Sequence, residues 1–178
     1  MVQKTLSSPP LVRRVDLTDL SQAGSEFDIL ADEKERLALA RWAKVTAISA
    51  FGGKVTLKRL DRTRFRLSAA LSSDIEQACV VTLEPVFAHI ERAFERELQY
   101  FERPAETGGV LTLAAGDDET PDAISDLNYD MAAPLLEEFS LAIDPYPRKA
   151  GVQFAAPREP PEESDNPFAV LKSLTPKG

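Results

Sequence analysis

Apolar and polar residues alternate through residues 65–81. Phe65, Leu67, Ala69, Leu71, Ile75, Cys79 and Val81 fall on one side, and Arg64, Arg66, Ser68, Ser72, Asp74 and Glu76 on the other. Successive side chains leave opposite faces of a pleated strand, so a repeat of two predicts one long half-buried strand, broken sharply at Pro85. Shorter apolar runs at 11–17, 26–31 and 45–51 predict further strands, the first two separated by the turn-rich SQAGS. Gly52-Gly53 marks a turn or bulge, after which Val55 and Leu57 alternate with Lys54, Thr56 and Lys58. Leu60-Asp61-Arg62 then turns the chain into the long strand, so 54–66 reads as a hairpin.

Two segments have helical character. Asp32 and Glu35 have capping-box spacing ahead of a helix over 33–44, with Leu37, Ala40, Trp42 and Ala43 as its apolar side. Asp130 caps a second helix over 131–143, with Pro134 in its first turn and Leu135, Leu136, Phe139 and Ala142 as its stripe. Asp144-Pro145-Tyr146-Pro147 ends it. Residues 87–101 fit either period: Phe87, Ile90, Phe94, Leu98 and Phe101 have helical spacing, while the even-numbered positions suit a strand. Helix propensity alone favours a helix there.

Together these elements predict an α+β fold, a largely antiparallel, curved or barrel-like sheet of about five to seven strands with two helices. A chain of 178 residues builds one ordinary core. Residues 9–149 are taken as a single domain containing an acidic loop at 103–126, where 110–114, VLTLA, can add a short strand. Residues 1–8 read as a flexible tail. Residues 150–178 read as a disordered tail ending in the apolar NPFAVLKSL at 166–174, whose Phe168, Val170, Leu171 and Leu174 can dock on the chain's own domain or on a partner.

Charge is unevenly spread. The net charge is -8, yet Lys54, Lys58, Arg59, Arg62, Arg64 and Arg66 oppose only Asp61 across the hairpin, and the alternation puts cations of both arms on one face. Between Glu102 and Glu138 ten acids face Arg103 alone. A local basic surface on an acidic protein is expected. Its polar face carries no aromatic residue to stack bases, so backbone or shape recognition of RNA is the most it offers.

Catalytic signatures are missing from the sequence: there is one histidine, no glycine-rich phosphate loop and no Gly-x-Ser-x-Gly. No enzyme activity and no cofactor are expected. Cys79 and His89 cannot by themselves supply the four nitrogen or sulfur ligands of a structural zinc site, so no metal is expected either. Cys79 reads as a small buried hydrophobe and His89 as a surface strand residue. Neither a membrane span nor an apolar leader is visible, which predicts a cytoplasmic protein without membrane contact.

Four segments in this order resemble the YceD family, also called domain of unknown function 177, in its alphaproteobacterial branch. They are CVVTLEPV at 79–86, the segment ending LQYF at 98–101, EEFSLAIDPYPR at 137–148 and NPFAVLKSL at 166–174. The resemblance implies a strand rather than a helix over 87–101. It also implies a part in accumulation of large-subunit ribosomal RNA, with that RNA, assembly intermediates or ribosomal proteins as partners. Many relatives have Cys-x-x-Cys where this chain has Cys79 and Thr82. Two readings of function follow: an RNA-contacting assembly protein using the basic hairpin, or a protein-only adaptor using the C-terminal apolar segment and the acidic surface.

Overall fold

The long alternation folds as strand β4, Arg64–Ala78, in which burial alternates residue by residue from Phe65 to Gln77. The computed structural model describes residues 9–102 and 121–152. Around β4 lie β3 (Ala47–Arg59) and β5 (Pro85–Tyr100), both antiparallel to it, with β2 (Ser25–Leu30) beyond β3. A short parallel strand, β6 (Asp122–Ile124), pairs with the end of β5 and completes the five-stranded order β2-β3-β4-β5-β6. A second sheet joins β1 (Arg14–Asp16) to β7 (Asn128–Asp130). With helices α1 (Glu33–Ala43) and α2 (Ala132–Ala142), the fold is α+β. The larger sheet is open, with edges at β2 and at β5–β6, rather than closed into a barrel.

One face of this sheet, the inner face, joins both helices and the N-terminal residues Leu11, Leu17 and Leu20 in a single core. Leu135 and Phe139 of α2 are fully buried, and the Phe139 ring meets Phe51 edge-on at 5.2 Å. Of the sequence-based stripe, Leu135, Leu136 and Phe139 are buried and Ala142 is half-buried. The opposite, outer face carries Lys54, Lys58, Arg64, Arg66, Ala70, Ser72, His89, Glu91 and Ala93, all exposed.

The glycine pair is not a turn. β3 runs straight through Gly52-Gly53, and the irregularity falls earlier, between Ile48 and Ala50. The glycines permit close approach instead: a Cβ on Gly53 would sit 3.0 Å from Leu135 and 3.1 Å from the Ala70 carbonyl, and one on Gly52 would sit 2.9 Å from Leu30. Gly53→Ala is therefore expected to destabilise the fold by about 1–3 kcal/mol, because α2 must lift from the sheet to admit the methyl group. A urea titration comparing midpoints checks this; an unchanged midpoint would show that Leu135 yields freely.

Helix α1 starts where its capping box predicts, with Glu35 N–H donating to Asp32 at 2.8 Å and Asp32 N–H to Glu35 at 3.0 Å. Both nitrogens of the Arg13 fork reach Glu35 at 2.8 Å and tie the N-terminal segment to this helix start. Its buried side differs from expectation: Leu39 and Ala40 are buried with Ala43 half-buried, while Leu37 and Trp42 are exposed. Lys44 ends the helix in the left-handed conformation and turns the chain directly into β3.

Residues 87–100 belong to strand β5 and Phe101 lies just beyond it, against the helix favoured by propensity. Ile90 and Leu98 are buried with Phe94 half-buried between them, so a spacing of four serves alternate inward positions of β5. β4 stops at Ala78, short of Val81, and residues 79–84 form the connection. Within the stretch read as an acidic loop the structure adds β6, held by Arg96, which reaches Glu137 at 2.6 Å, Glu138 at 3.0 Å and Asp122 at 3.6 Å. Asp130 precedes Met131, the helix cap, and accepts N–H bonds from Arg13 and Ala132. The expected strand at 110–114, the tails at 1–8 and 153–178, and the docking residues Phe168, Val170, Leu171 and Leu174 lie outside the described residues. No helix among the described residues is long and apolar enough to cross a membrane.

Candidate nucleic-acid interface

The antiparallel register of β3 and β4 sets Lys58 opposite Arg66, and opposite residues share a face. Arg64, two residues from Arg66, and Lys54, four from Lys58, lie on that same outer face. Arg62 sits exposed in the turn between the strands. Five of the six sequence-based cations are thus gathered on the outer face or at the hairpin tip.

Arg59 is the exception. It pairs with Phe65, whose side chain is buried, so it turns to the inner face. Its guanidinium lies 5.9 Å from the Phe65 ring centre and donates to the Leu17 and Thr18 carbonyls. That makes it a clamp between the hairpin and the 3-10 turn at Leu17–Asp19, and removes it from the candidate surface. An odd position on a strand faces away from its even neighbours, and Arg59 follows this rule.

Acids from adjoining strands temper the patch. Arg66 meets Glu97 of β5 at 2.7 Å, Lys54 lies 4.0 Å from Asp28 of β2, and Arg64 bonds Asp61 at 2.6 Å. Charge counted along the hairpin alone misses Glu97 and Asp28, which arrive through strand pairing. Asp61 also locks the turn: it accepts the N–H groups of Thr63 at 2.9 Å and Arg64 at 2.8 Å. These bonds, Thr63 first and the Arg64 guanidinium next, hold its carboxyl down to about 2. The Asp-x-Thr spacing was the available signal, since an aspartate commonly binds the backbone two residues on. Lys58 and Arg62 have no carboxylate partner among the described residues.

Comparison with protein-family models, with curated proteins and with solved structures finds no match for this chain. The other distinctive region is the β4–β5 connection. Cys79 is fully buried, and its sulfur accepts the Lys149 N–H at 3.4 Å. The Thr82 hydroxyl, then the N–H groups of Lys149, Thr82 and Val81, push the thiol down to about 6, with desolvation opposing them weakly. Val80 N–H reaches the Pro147 carbonyl at 2.9 Å, the Gln77 amide reaches the Asp144 carbonyl at 2.9 Å, and Lys149 pairs with Glu84 at 3.1 Å. The connection and the residues after α2, 144–149, thus meet in one hydrogen-bonded corner. No group of three or more histidine, cysteine, aspartate or glutamate side chains among the described residues is placed to hold a metal ion.

His89 is an exposed residue of β5, 2.6 Å from Asp74 and 3.3 Å from Glu91. Hydrogen bonding to Asp74, then to Glu91, raises its pKa above the usual 6.5. The stabilisation from these pairs is complete below 6.5 and is lost as pH rises through the higher folded value. As the sole histidine it gives one imidazole signal in a proton NMR titration, with an expected midpoint above 6.5 that Asp74→Asn lowers. An identical midpoint in the variant would show the Asp74 contact to be without effect in solution.

Proposed function

We propose that this protein is a cytoplasmic, non-enzymatic binding protein that supports accumulation or assembly of large-subunit ribosomal RNA, contacting RNA phosphates through the tip of the β3–β4 hairpin. The observation that carries this reading is the Lys58–Arg66 register pair, extended by Arg64 on the outer face and by Arg62 at the exposed hairpin tip. Exposed, solvent-screened ion pairs such as Arg66–Glu97 and Arg64–Asp61 bind only weakly, so these guanidiniums can exchange a carboxylate for a phosphate at little cost. Lys58 and Arg62 need make no such exchange. Repulsion between nucleic acid and the acidic remainder of the chain acts at close range and is screened beyond a Debye length of about 10 Å at 0.1 M salt, which favours a localised contact at the basic patch over general coating.

Resemblance to the YceD family supports ribosomal RNA over other nucleic acids. Sedimentation of tagged protein with large-subunit precursors tests the proposal. Association is expected to fall on ribonuclease treatment and with rising salt. Association that survives ribonuclease but is lost on deletion of 166–178 would favour the adaptor reading, with Phe168, Val170, Leu171 and Leu174 as the contact.

A further inference from the structure

Strand β5 is paired on one side along its whole length, but on the other side β6 covers only Leu98–Tyr100. Among the described residues nothing pairs with the open edge of 86–97. The hydrogen-bond directions along that edge follow from its two ends. Tyr100 N–H points to Thr63 at the start of β4, and Phe101 N–H points away to Ile124 of β6. By alternation the even-numbered residues of β5 serve β4, while Phe87, His89, Glu91, Ala93 and Glu95 turn their N–H and C=O groups to the open side. Pro85, which has no N–H to offer that side, opens the strand, a position proline tolerates at an edge.

We infer that this edge pairs antiparallel with the same edge of a second copy of the chain, around a two-fold axis at Ile90, to join two five-stranded sheets into one. Charge selects the register. An axis at Glu91 sets that carboxylate against its own copy, an axis at Arg92 does the same for the guanidinium, and an axis at Ala93 sets Glu91 against Glu95. The axis at Ile90 instead places His89 opposite Glu91 of the second copy, twice. It also lays Phe87, 76% exposed, over Ala93, and the half-buried Val86 beside the half-buried Phe94. Phe87–Ala93 and His89–Glu91 become hydrogen-bonded pairs, for about eight new backbone bonds across the axis. Oppositely charged and aromatic cross-strand pairs are the ones that stabilise such a contact. The open edge is long and charged, and charges usually keep edges apart. On β5 their order rejects the registers centred at Glu91, Arg92 and Ala93 and admits this one. The inference is independent of RNA binding, and it places both outer faces, with their Lys58–Arg66 pairs, on the same side of the joined sheet.

Sedimentation equilibrium of the full chain tests it. The mass is expected to rise from one chain to two with concentration. Glu91→Pro removes an edge-directed N–H without touching the bonds to β4, and Phe87→Glu sets a carboxylate among Glu91 and Glu95 of the second copy at a site too exposed to affect folding. Each is expected to raise the dissociation constant by about tenfold or more, the effect of about 1.4 kcal/mol. Circular dichroism and melting temperature serve as folding controls, and Phe87→Glu alone decides if Glu91→Pro does not fold. A single-chain mass up to the solubility limit, or a dimer that persists undiminished in Phe87→Glu, overturns the inference.

Discussion

Replacing Lys58, Arg64 and Arg66 together with glutamate is expected to weaken binding to large-subunit ribosomal RNA by about 100-fold or more at 0.1 M salt. These three cations sit within one register step of each other on the outer face, so a phosphate backbone laid along the hairpin meets all of them. Each contact with phosphate releases counterions, and the slope of log K against log salt should flatten by about one for each cation lost. A filter-binding series across salt concentrations measures both quantities. Melting temperature should change little, because the three side chains are exposed and lie away from the core. Arg59→Ala provides the contrast. It belongs to the same basic run in the sequence but clamps the Leu17 and Thr18 carbonyls, so it should lower the melting temperature and leave the salt slope intact. Unaltered RNA affinity in the triple variant would remove the hairpin from the mechanism.

Phe139→Ala is expected to cost about 3–5 kcal/mol, a large share of the roughly 5–15 kcal/mol that stabilises a domain. The ring is fully buried, meets Phe51 edge-on, and belongs to the helix that covers β3, β4 and β5. Its removal leaves a cavity that the flat sheet face cannot collapse to fill. A shift of the urea midpoint with an unchanged slope is the signature of this loss. Trp42→Ala, although it deletes a larger side chain, should cost much less because the indole is 40% exposed. If the two substitutions destabilised equally, α2 would not be the principal cover of the sheet.

Those two aromatic residues also mark where the sequence was legible. Strand β4, the capping box at Asp32 and the apolar stripe of α2 are local patterns, each complete within a few turns or pleats. Their periods could be read directly. The buried side of α1 was not legible, because Leu37, Leu39, Ala40, Trp42 and Ala43 surround the helix and only the position of β3 decides which are covered. Gly52-Gly53 has the composition of a turn, yet its meaning depends on Leu30 and Leu135 from other elements. For β5, the spacing of four among Ile90, Phe94 and Leu98 satisfied both periods, and pairing along the length of β4 decided between them. The same limit applies at the basic surface. Alternation put Lys54, Lys58, Arg64 and Arg66 on one face, but Glu97 and Asp28 enter it through cross-strand register, which no single segment encodes. Arg59 belongs to the basic run by charge but not by parity, which already turns it from the face of Lys58.

The helix that seals the core is encoded late. Strands β3 to β5 are complete at Tyr100, whereas α2 ends at Ala142 and the corner at Cys79 waits for Lys149. At about 5–20 residues per second of translation, several seconds separate the making of the greasy inner surface from the arrival of its lid. β1 must likewise wait for β7 before it has a partner. A growing polypeptide of this kind stays sticky until α2 has left the exit tunnel, and truncation before residue 132 should leave a product that aggregates or is degraded rather than a smaller functional unit.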